Sequence, residues 1–481
     1  MNLSVAQQTD TWLERSTKMD TQAPNGKLTN QTAAMRDTTV QFHPNTNARL
    51  HEKIGAQVIE RGDGIHVVDN NGKRYIEAMS GLWSAALGFS EQRLINAATQ
   101  QMQKLPFYHN FNHRAVLPTI ELAEKLLSIA PVEMARVFFT NSGSEANDTA
   151  LKMIWYRSNA MMQPEKKKII ALQRGYHGAT VGAASLTGLA SSHGAFDLPI
   201  AGIHHVTCPH YWREANEGES EADFATRLAT ELEESILKEG PETIAAFFAE
   251  PVMGAGGVVV PPETYWTKIQ EVLGRYDILL VADEVICGFG RTGKMFGSET
   301  YGIRPDIMVL SKQLASSYQP IAALLLAERV YEPIADESAK RSIFGHGITT
   351  GGNPVASAVA LENIKIIEER ELVNQARRVG AYMQAELRSK LDGHPLVGEI
   401  RGVGLLAGVE LVGDRETKAP HEVVGQLGTR AAALLMNAGI IVRAMGDTIA
   451  LCPPLITAER DVDQILSAFP PALDAVLTEI G

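Results

Sequence analysis

The middle of the chain alternates short, unbroken apolar runs with helix-length amphipathic segments. The runs occupy residues 137–139, 169–172, 244–248, 278–282, 307–310 and 321–326. Apolar stretches without alternation predict strands buried on both faces, and their interleaving with helices predicts a mainly parallel α/β sheet. Upstream, residues 56–72 read as short strands joined by tight turns at Gly62-Asp63-Gly64 and Asn71-Gly72. After about Arg341 the texture changes. Amphipathic segments at 371–391, 423–437 and 458–477 alternate with strand-like stretches at 403–412 and 440–443, which predicts a smaller α+β domain. The expected organisation is a flexible arm over 1–40, a large domain over 75–340, and a small domain built from 41–74 and 341–481.

The residues directly after each run carry more information than the runs themselves. The first runs into Thr140-Asn-Ser-Gly-Ser-Glu and the second leads to Gly175-Tyr-His-Gly. The third ends at Glu250-Pro251, the fourth at Asp283-Glu284 and the fifth at Ser311-Lys312. Open α/β sheets bind ligands outside the carboxyl ends of their strands. Five motifs at such ends predict one composite site.

Composition narrows the partners. The 481 residues carry 44 basic and 56 acidic side chains, a formal charge of -12, which disfavours a broad nucleic-acid or anionic-membrane surface. Cys208, Cys287 and Cys452 are too few and too scattered for a disulfide framework. Residues 1–39 are polar without an apolar leader core, and no run approaches the ~18 apolar residues of a membrane span. A cytoplasmic protein is the expectation. His204, His205, Cys208 and His210 cluster in sequence but match no familiar zinc spacing, so no metal is expected. Gly288-Phe-Gly-Arg-Thr-Gly lacks the spacing of a dinucleotide loop.

Four of the strand-end motifs suit one cofactor. A lysine just after an apolar strand, Lys312, starts near a core, where desolvation favours the neutral amine that forms a Schiff base. Asp283, at another strand end, offers the acidic partner that the pyridine nitrogen of pyridoxal phosphate (PLP) needs. Ser142-Gly143-Ser144 is a small-residue turn opening a helix, where free N–H groups bind phosphate. Tyr176 and His177 could stack on the ring. Each has an ordinary alternative: a snorkelling lysine, a solvated carboxylate or cap, a plain N-cap, a structural tyrosine.

With these residues in place, the chain resembles the class III aminotransferases. The likeness is carried by Phe139-Thr-Asn-Ser-Gly-Ser-Glu-Ala-Asn, Gly175-Tyr-His-Gly, Glu250-Pro-Val-Met-Gly-Ala-Gly-Gly and the stretch from Leu279 to Phe289-Gly-Arg-Thr-Gly. Ser317-Tyr-Gln-Pro-Ile, Gly345-His-Gly-Ile-Thr and Asn353-Pro354 add to it, and it runs from about Phe42 to near the C-terminus. It is most similar to ω-transaminases that use pyruvate. The resemblance implies PLP fold type I, with a mainly parallel seven-stranded sheet in the large PLP-binding domain. It implies Lys312 as the Schiff-base lysine and general base, Asp283 at the pyridine nitrogen, and Gly143 and Ser144 at the phosphate. Thr349 would join them from the neighbouring subunit of a homodimer, or of a tetramer.

Tyr176 and Val285 would flank the ring, with His177 and Glu250 beside the cofactor. Trp83, Phe111 and Tyr176 would wall the substrate pocket, and Arg443 would bind the keto-acid carboxylate. The implied reaction moves an amino group from a primary amine or ω-amino acid to pyruvate. The alternatives are a 4-aminobutyrate, β-alanine or taurine type using 2-oxoglutarate or pyruvate, and an intramolecular amino shift. Two departures stand out: Gln313 where glycine often follows the lysine, and Thr350 where an aromatic is frequent. Both bear on the expected pocket shape.

Overall fold

The computed structural model describes residues 32–480. Its first elements correct the expected arm. Residues 33–40 form a helix, Ala33–Val40, capped by Thr32 Oγ1, which accepts from the Met35 N–H. A second helix, Ala48–Ile54, is tied to the first through Asp37, whose Oδ2 lies 2.8 Å from His43 Nε2 and 2.9 Å from His51 Nε2. Neither helix buries a residue. A cap and a shared carboxylate replace the apolar stripe that periodicity would have detected. The rest of that arm, 1–31, lies outside the described residues.

Three strands come next: β1 (Ile59–Asp63), β2 (His66–Asp69) and β3 (Arg74–Glu77). After them are β4 (Arg136–Thr140), β5 (Lys168–Leu172), β6 (Ile203–Val206), β7 (Ile244–Ala249), β8 (Leu279–Asp283), β9 (Ile307–Leu310) and β10 (Ala322–Leu326). The C-terminal part adds β11 (Val397–Val403), β12 (Leu406–Leu411), β13 (Ile440–Ile441), β14 (Arg443–Met445) and β15 (Thr448–Leu451).

β4 to β10 form one seven-stranded sheet in the order β4-β10-β9-β8-β7-β5-β6, with β8 at its centre. β10 alone runs antiparallel to its neighbours, so its first residues emerge at the edge where the other strands end. Alternation decides which face each side chain meets. Ile170, Leu172, Phe247, Ala249 and Leu280 pack with Phe224 and Leu232 of the helix Glu221–Glu239 and with Ile269 of the helix Tyr265–Arg275. Ile169, Ala171, Phe248, Val281 and Val309 pack on Ala146, Ala150 and Ile154 of the helix Gly143–Ala160. Helices therefore cover both faces, which is why the strands read as unbroken apolar runs.

β1, β2 and β3 form a second sheet completed by β13, which pairs in parallel with β3. Chain from near both ends thus meets there, and the expected boundary at residue 75 falls inside β3. A third sheet has the order β11-β12-β15-β14. The strand-like stretch 403–412 is the second half of a hairpin that turns at Gly404, whose φ is 53°. The amphipathic stretch 458–477 is two helices, Glu459–Ser467 and Phe469–Ile480. Pro470 and Pro471 separate them, since proline fits a helix's first turn but not its interior.

Candidate active site

The edge of the large sheet encloses a cavity of about 270 Å³ whose wall includes Gly143, Ser144, Tyr176, Glu250, Asp283 and Lys312. Asp283 ends the central strand and is buried. Its Oδ2 accepts from Asn147 Nδ2 at 2.8 Å and pairs with His177 Nδ1 at 2.9 Å, and Oδ1 accepts from the Val285 N–H at 3.1 Å. Two donors saturate Oδ2, while Oδ1 keeps one lone pair free. His177 belongs to this support. Its side chain has no accessible surface and is paired to Asp283, although the residue also borders the cavity. Asn147 and the role of His177 were missed by sequence reasoning, because their target lies far along the chain.

Lys312 comes directly after β9 and Ser311, in a single 3-10 turn, Lys312–Leu314. Burial holds its amine below the ordinary lysine range, against the opposing pull of Asp283 and Glu250. Among the described residues Lys312 makes no side-chain hydrogen bond or ion pair. Glu250, at the end of β7, is buried, and burial pushes its carboxyl up to about 7. It accepts from the Tyr176 N–H at 3.0 Å and the Gly254 N–H at 2.8 Å, which fixes the peptide carrying Tyr176.

The helix Gly143–Ala160 begins at the cavity. Its N-cap is Ser142, whose Oγ accepts from the Glu145 N–H at 3.2 Å. The Gly143 and Ser144 N–H groups in the first turn have no intrahelical acceptor, which makes that turn a seat for an anion. A Cβ on Gly143 would stand 3.2 Å from Val285 Cγ2, and one on Gly178 would stand 2.5 Å from Ser144 Oγ. Val285 borders the same cavity. An anion seat, a pinned carboxylate with one free lone pair and an unpaired desolvated amine fit the phosphate, ring nitrogen and aldehyde of PLP.

Four expected residues stand outside that wall. Trp83 is buried among Met79, Val252, Ile286 and Cys452. Arg443 is half-buried on β14, interacts with Tyr176, and has no hydrogen bond or ion pair among the described residues. Phe111 and Thr349 are exposed. The Phe111 ring lies against Gly347, two residues before Thr349. The departures also resolve. Gln313 is fully buried behind the lysine and does not border the cavity, contrary to its expected effect on pocket shape. Thr350 reaches the rim, where its Oγ1 donates to Asn141 Oδ1 at 2.9 Å.

The histidine–cysteine cluster disperses. His205 Nε2 lies 3.1 Å from the Leu186 carbonyl, His204 faces Glu239, and Cys208 is buried. His210 joins Glu399 and Glu410, but Arg401 Nη1 already sits 2.5 Å from both carboxylates, where a cation would stand. In the glycine pattern, Arg291 is fully buried and donates to the carbonyls of Leu405 and Pro453 and to Ser80 Oγ. That segment is an anchor. Glu284, also missed, accepts from the Gly297 and Ser298 N–H groups and from Ser298 Oγ.

A mainly parallel seven-stranded sheet with lysine, aspartate and an open helix start along one edge defines a PLP enzyme of fold type I. The Aminotransferase class-III family profile matches residues 47–473, and the chain belongs to that family. It is therefore a PLP-dependent transaminase. An omega transaminase from Pseudomonas jessenii in complex with PMP is 60% identical, with a TM-score of 0.93 over 94% of this chain and 99% of that one. A transaminase solved with L-Ala is 63% identical, with a TM-score of 0.87 over 88% of this chain and 100% of that one. A probable γ-aminobutyrate transaminase 3, mitochondrial, from Oryza sativa subsp. indica is 49% identical over 88% of this chain and 83% of its own length. No helix among the described residues is long and apolar enough to cross a membrane.

Proposed function

We propose that the enzyme transfers the amino group of a primary amine or ω-amino acid to pyruvate, giving an aldehyde or ketone and alanine. Arg443 carries this reading: it is a half-buried guanidinium beside Tyr176 that no carboxylate of the described chain neutralises. A desolvated arginine without a partner is costly, and its planar fork matches a carboxylate brought in by a keto acid. The likeness to omega transaminases supports it.

Bound PLP supplies the electron sink for the carbanion formed at the donor's α-carbon. The protein's residues do the rest. Gly143 and Ser144 hold the phosphate through their N–H groups, and Thr349 reaches the phosphate of a neighbouring subunit. The free lone pair of Asp283 Oδ1 holds the ring-nitrogen proton, with His177 and Asn147 fixing the carboxylate. Tyr176 and Val285, which both border the cavity, would flank the cofactor. Lys312 would hold the aldehyde carbon and, once displaced by the donor, serve as the base that takes the donor's α-proton. Glu250 steadies Tyr176, while Trp83 and Phe111 bound the substrate. We assign cofactor binding to 75–340 and the small domain to 41–74 with 341–481.

A homodimer is supported by the exposed apolar side chains of Val40, Phe42, Phe107, Phe111, Leu117 and Ile120, and a tetramer would extend it. Three buried, free cysteines support a reducing compartment such as the cytoplasm.

The second reading, a 4-aminobutyrate, β-alanine or taurine type using 2-oxoglutarate or pyruvate, is supported on the donor side by the names of the plant relatives. A donor screen with pyruvate and with 2-oxoglutarate separates the readings. Alanine formation faster than glutamate formation is expected, and the reverse order would overturn the pyruvate assignment. Turnover without any acceptor would instead indicate an amino shift.

A further inference from the structure

The turn that presents Lys312 is bent against its own preference. Lys312 has φ 42°, and Ser316 and Ser317 have 49° and 57°, all in the left-handed region that residues with a Cβ avoid. Such backbone persists only where its surroundings over-determine it. Gln313 is at the centre of those surroundings. Its Nε2 donates to the Ile286 carbonyl at 2.9 Å and to the Gly288 carbonyl at 3.0 Å. Its own carbonyl accepts from Asn363 Nδ2 at 2.7 Å. The same Asn363 donates to the Leu314 carbonyl at 3.1 Å and accepts from Ser316 Oγ at 2.6 Å.

Ile286 and Gly288 belong to the segment that leaves β8 immediately after Asp283. One buried amide therefore joins the lysine's turn to the aspartate's strand end, and Asn363 pins the lysine's turn to the helix Pro354–Glu369. Removing the donor would leave two buried carbonyls unsatisfied, and the segment after Asp283 would shift to find partners. We propose that Gln313 is a positioning residue for transamination: it sets where the Lys312 amine stands relative to Asp283. The proposal rests on the roles read for Lys312 and Asp283.

The test uses the PLP-loaded enzyme. Gln313→Met keeps the side chain's length but removes the donors. Gln384→Met is the control, since Gln384 is also buried and donates to the Leu406 carbonyl at 2.9 Å, away from the cavity. The readouts are Tm, kcat, the donor KM, and the pH midpoint of the visible absorbance of the lysine-linked cofactor. Gln313→Met is expected to lower kcat about tenfold or more, with KM changed less than about threefold, because the loss falls on proton transfer rather than binding. Its absorbance midpoint should move. Gln384→Met should lower Tm while leaving kcat and the midpoint at wild-type values.

Wild-type kcat and midpoint in Gln313→Met would overturn the proposal, as would equal shifts in the control. If Gln313→Met does not fold, Gln313→Asn decides, because it keeps the amide one methylene short. A lowered kcat with a moved midpoint supports the proposal, and wild-type values overturn it. Failure of the underlying Lys312 assignment is read separately, from lysine-linked absorbance persisting in Lys312→Ala.

Discussion

Two buried polar networks in this protein treat charge in opposite ways. Around Arg401 the charges close on one another. Arg401 Nη1 meets Glu399 and Glu410 at 2.5 Å each, and Arg213 Nε meets Glu410 at 2.6 Å. His210 lies between Arg174 Nη1 and Glu399 Oε2, each at 2.8 Å. Because arginine only donates, His210 Nδ1 must accept and its Nε2–H must donate, so the ring sits neutral. Around Lys312 the network stays open, with Lys312 and Arg443 making no ion pair among the described residues. The closed cluster joins β11 and β12 to the loops near Tyr176 and Glu250. The open one leaves Lys312 and Arg443 without a paired carboxylate among the described residues, as their proposed roles require.

The contrast breaks first at the lysine. Lys312→Ala is expected to lower kcat by about 10³-fold or more and abolish the lysine-linked absorbance, since a positioned base contributes roughly 10²–10⁴-fold. Asp283→Asn should cost about 10²-fold in kcat by weakening charge stabilisation in the reaction, with Tm shifting by only a few degrees. Stopped-flow single turnovers would measure both. At the closed network the sign is reversed. Arg401→Ala removes the cation that Glu399 and Glu410 share, leaving them only His210 and Arg213, and should cost up to about 3–5 kcal/mol of stability in denaturant titration, with kcat per folded molecule near wild type.

The smallest effect sharpens the comparison from a third side. Glu77 is a buried carboxyl with no ion pair among the described residues, raised by burial to about 7, and it accepts from the Gly81 N–H. Its folded pKa lies above the unfolded value, so the native state binds the extra proton. Stability should therefore be full below about 4.5 and decline as pH rises towards 7. Glu77→Gln cannot titrate, and the difference in unfolding free energy between pH 5 and 8 should shrink by on the order of 1–3 kcal/mol.

Much of the open network was legible because strand ends carry it. Unbroken apolar runs announced six strands, and Asp283, Lys312, Glu250 and Gly143 stand just after four of them. The edge strand Ile203–Val206 is absent from those runs, because His204 and His205 interrupt its apolar pattern. The closed network was not legible. His210 finds Glu399 only after the sheets have assembled, and no local spacing records a partner so far along the chain. Gln313 looked like a pocket residue from its place beside Lys312, yet the 3-10 turn sends its side chain into the core. Adjacency in sequence fixes neighbouring backbone, while side-chain direction comes from turn geometry.

The reversed strand β10 has a kinetic consequence. Because it pairs antiparallel with β9, only residues 311–321 need to close for those two strands to meet. Loop-closure entropy is small for so short a span, and local pairings precede distant ones. β4, the other neighbour of β10, must come back from far earlier in the chain. The segment bearing Lys312 thus belongs to a low-contact-order hairpin that can form during folding before the sheet edge at β4 is in place.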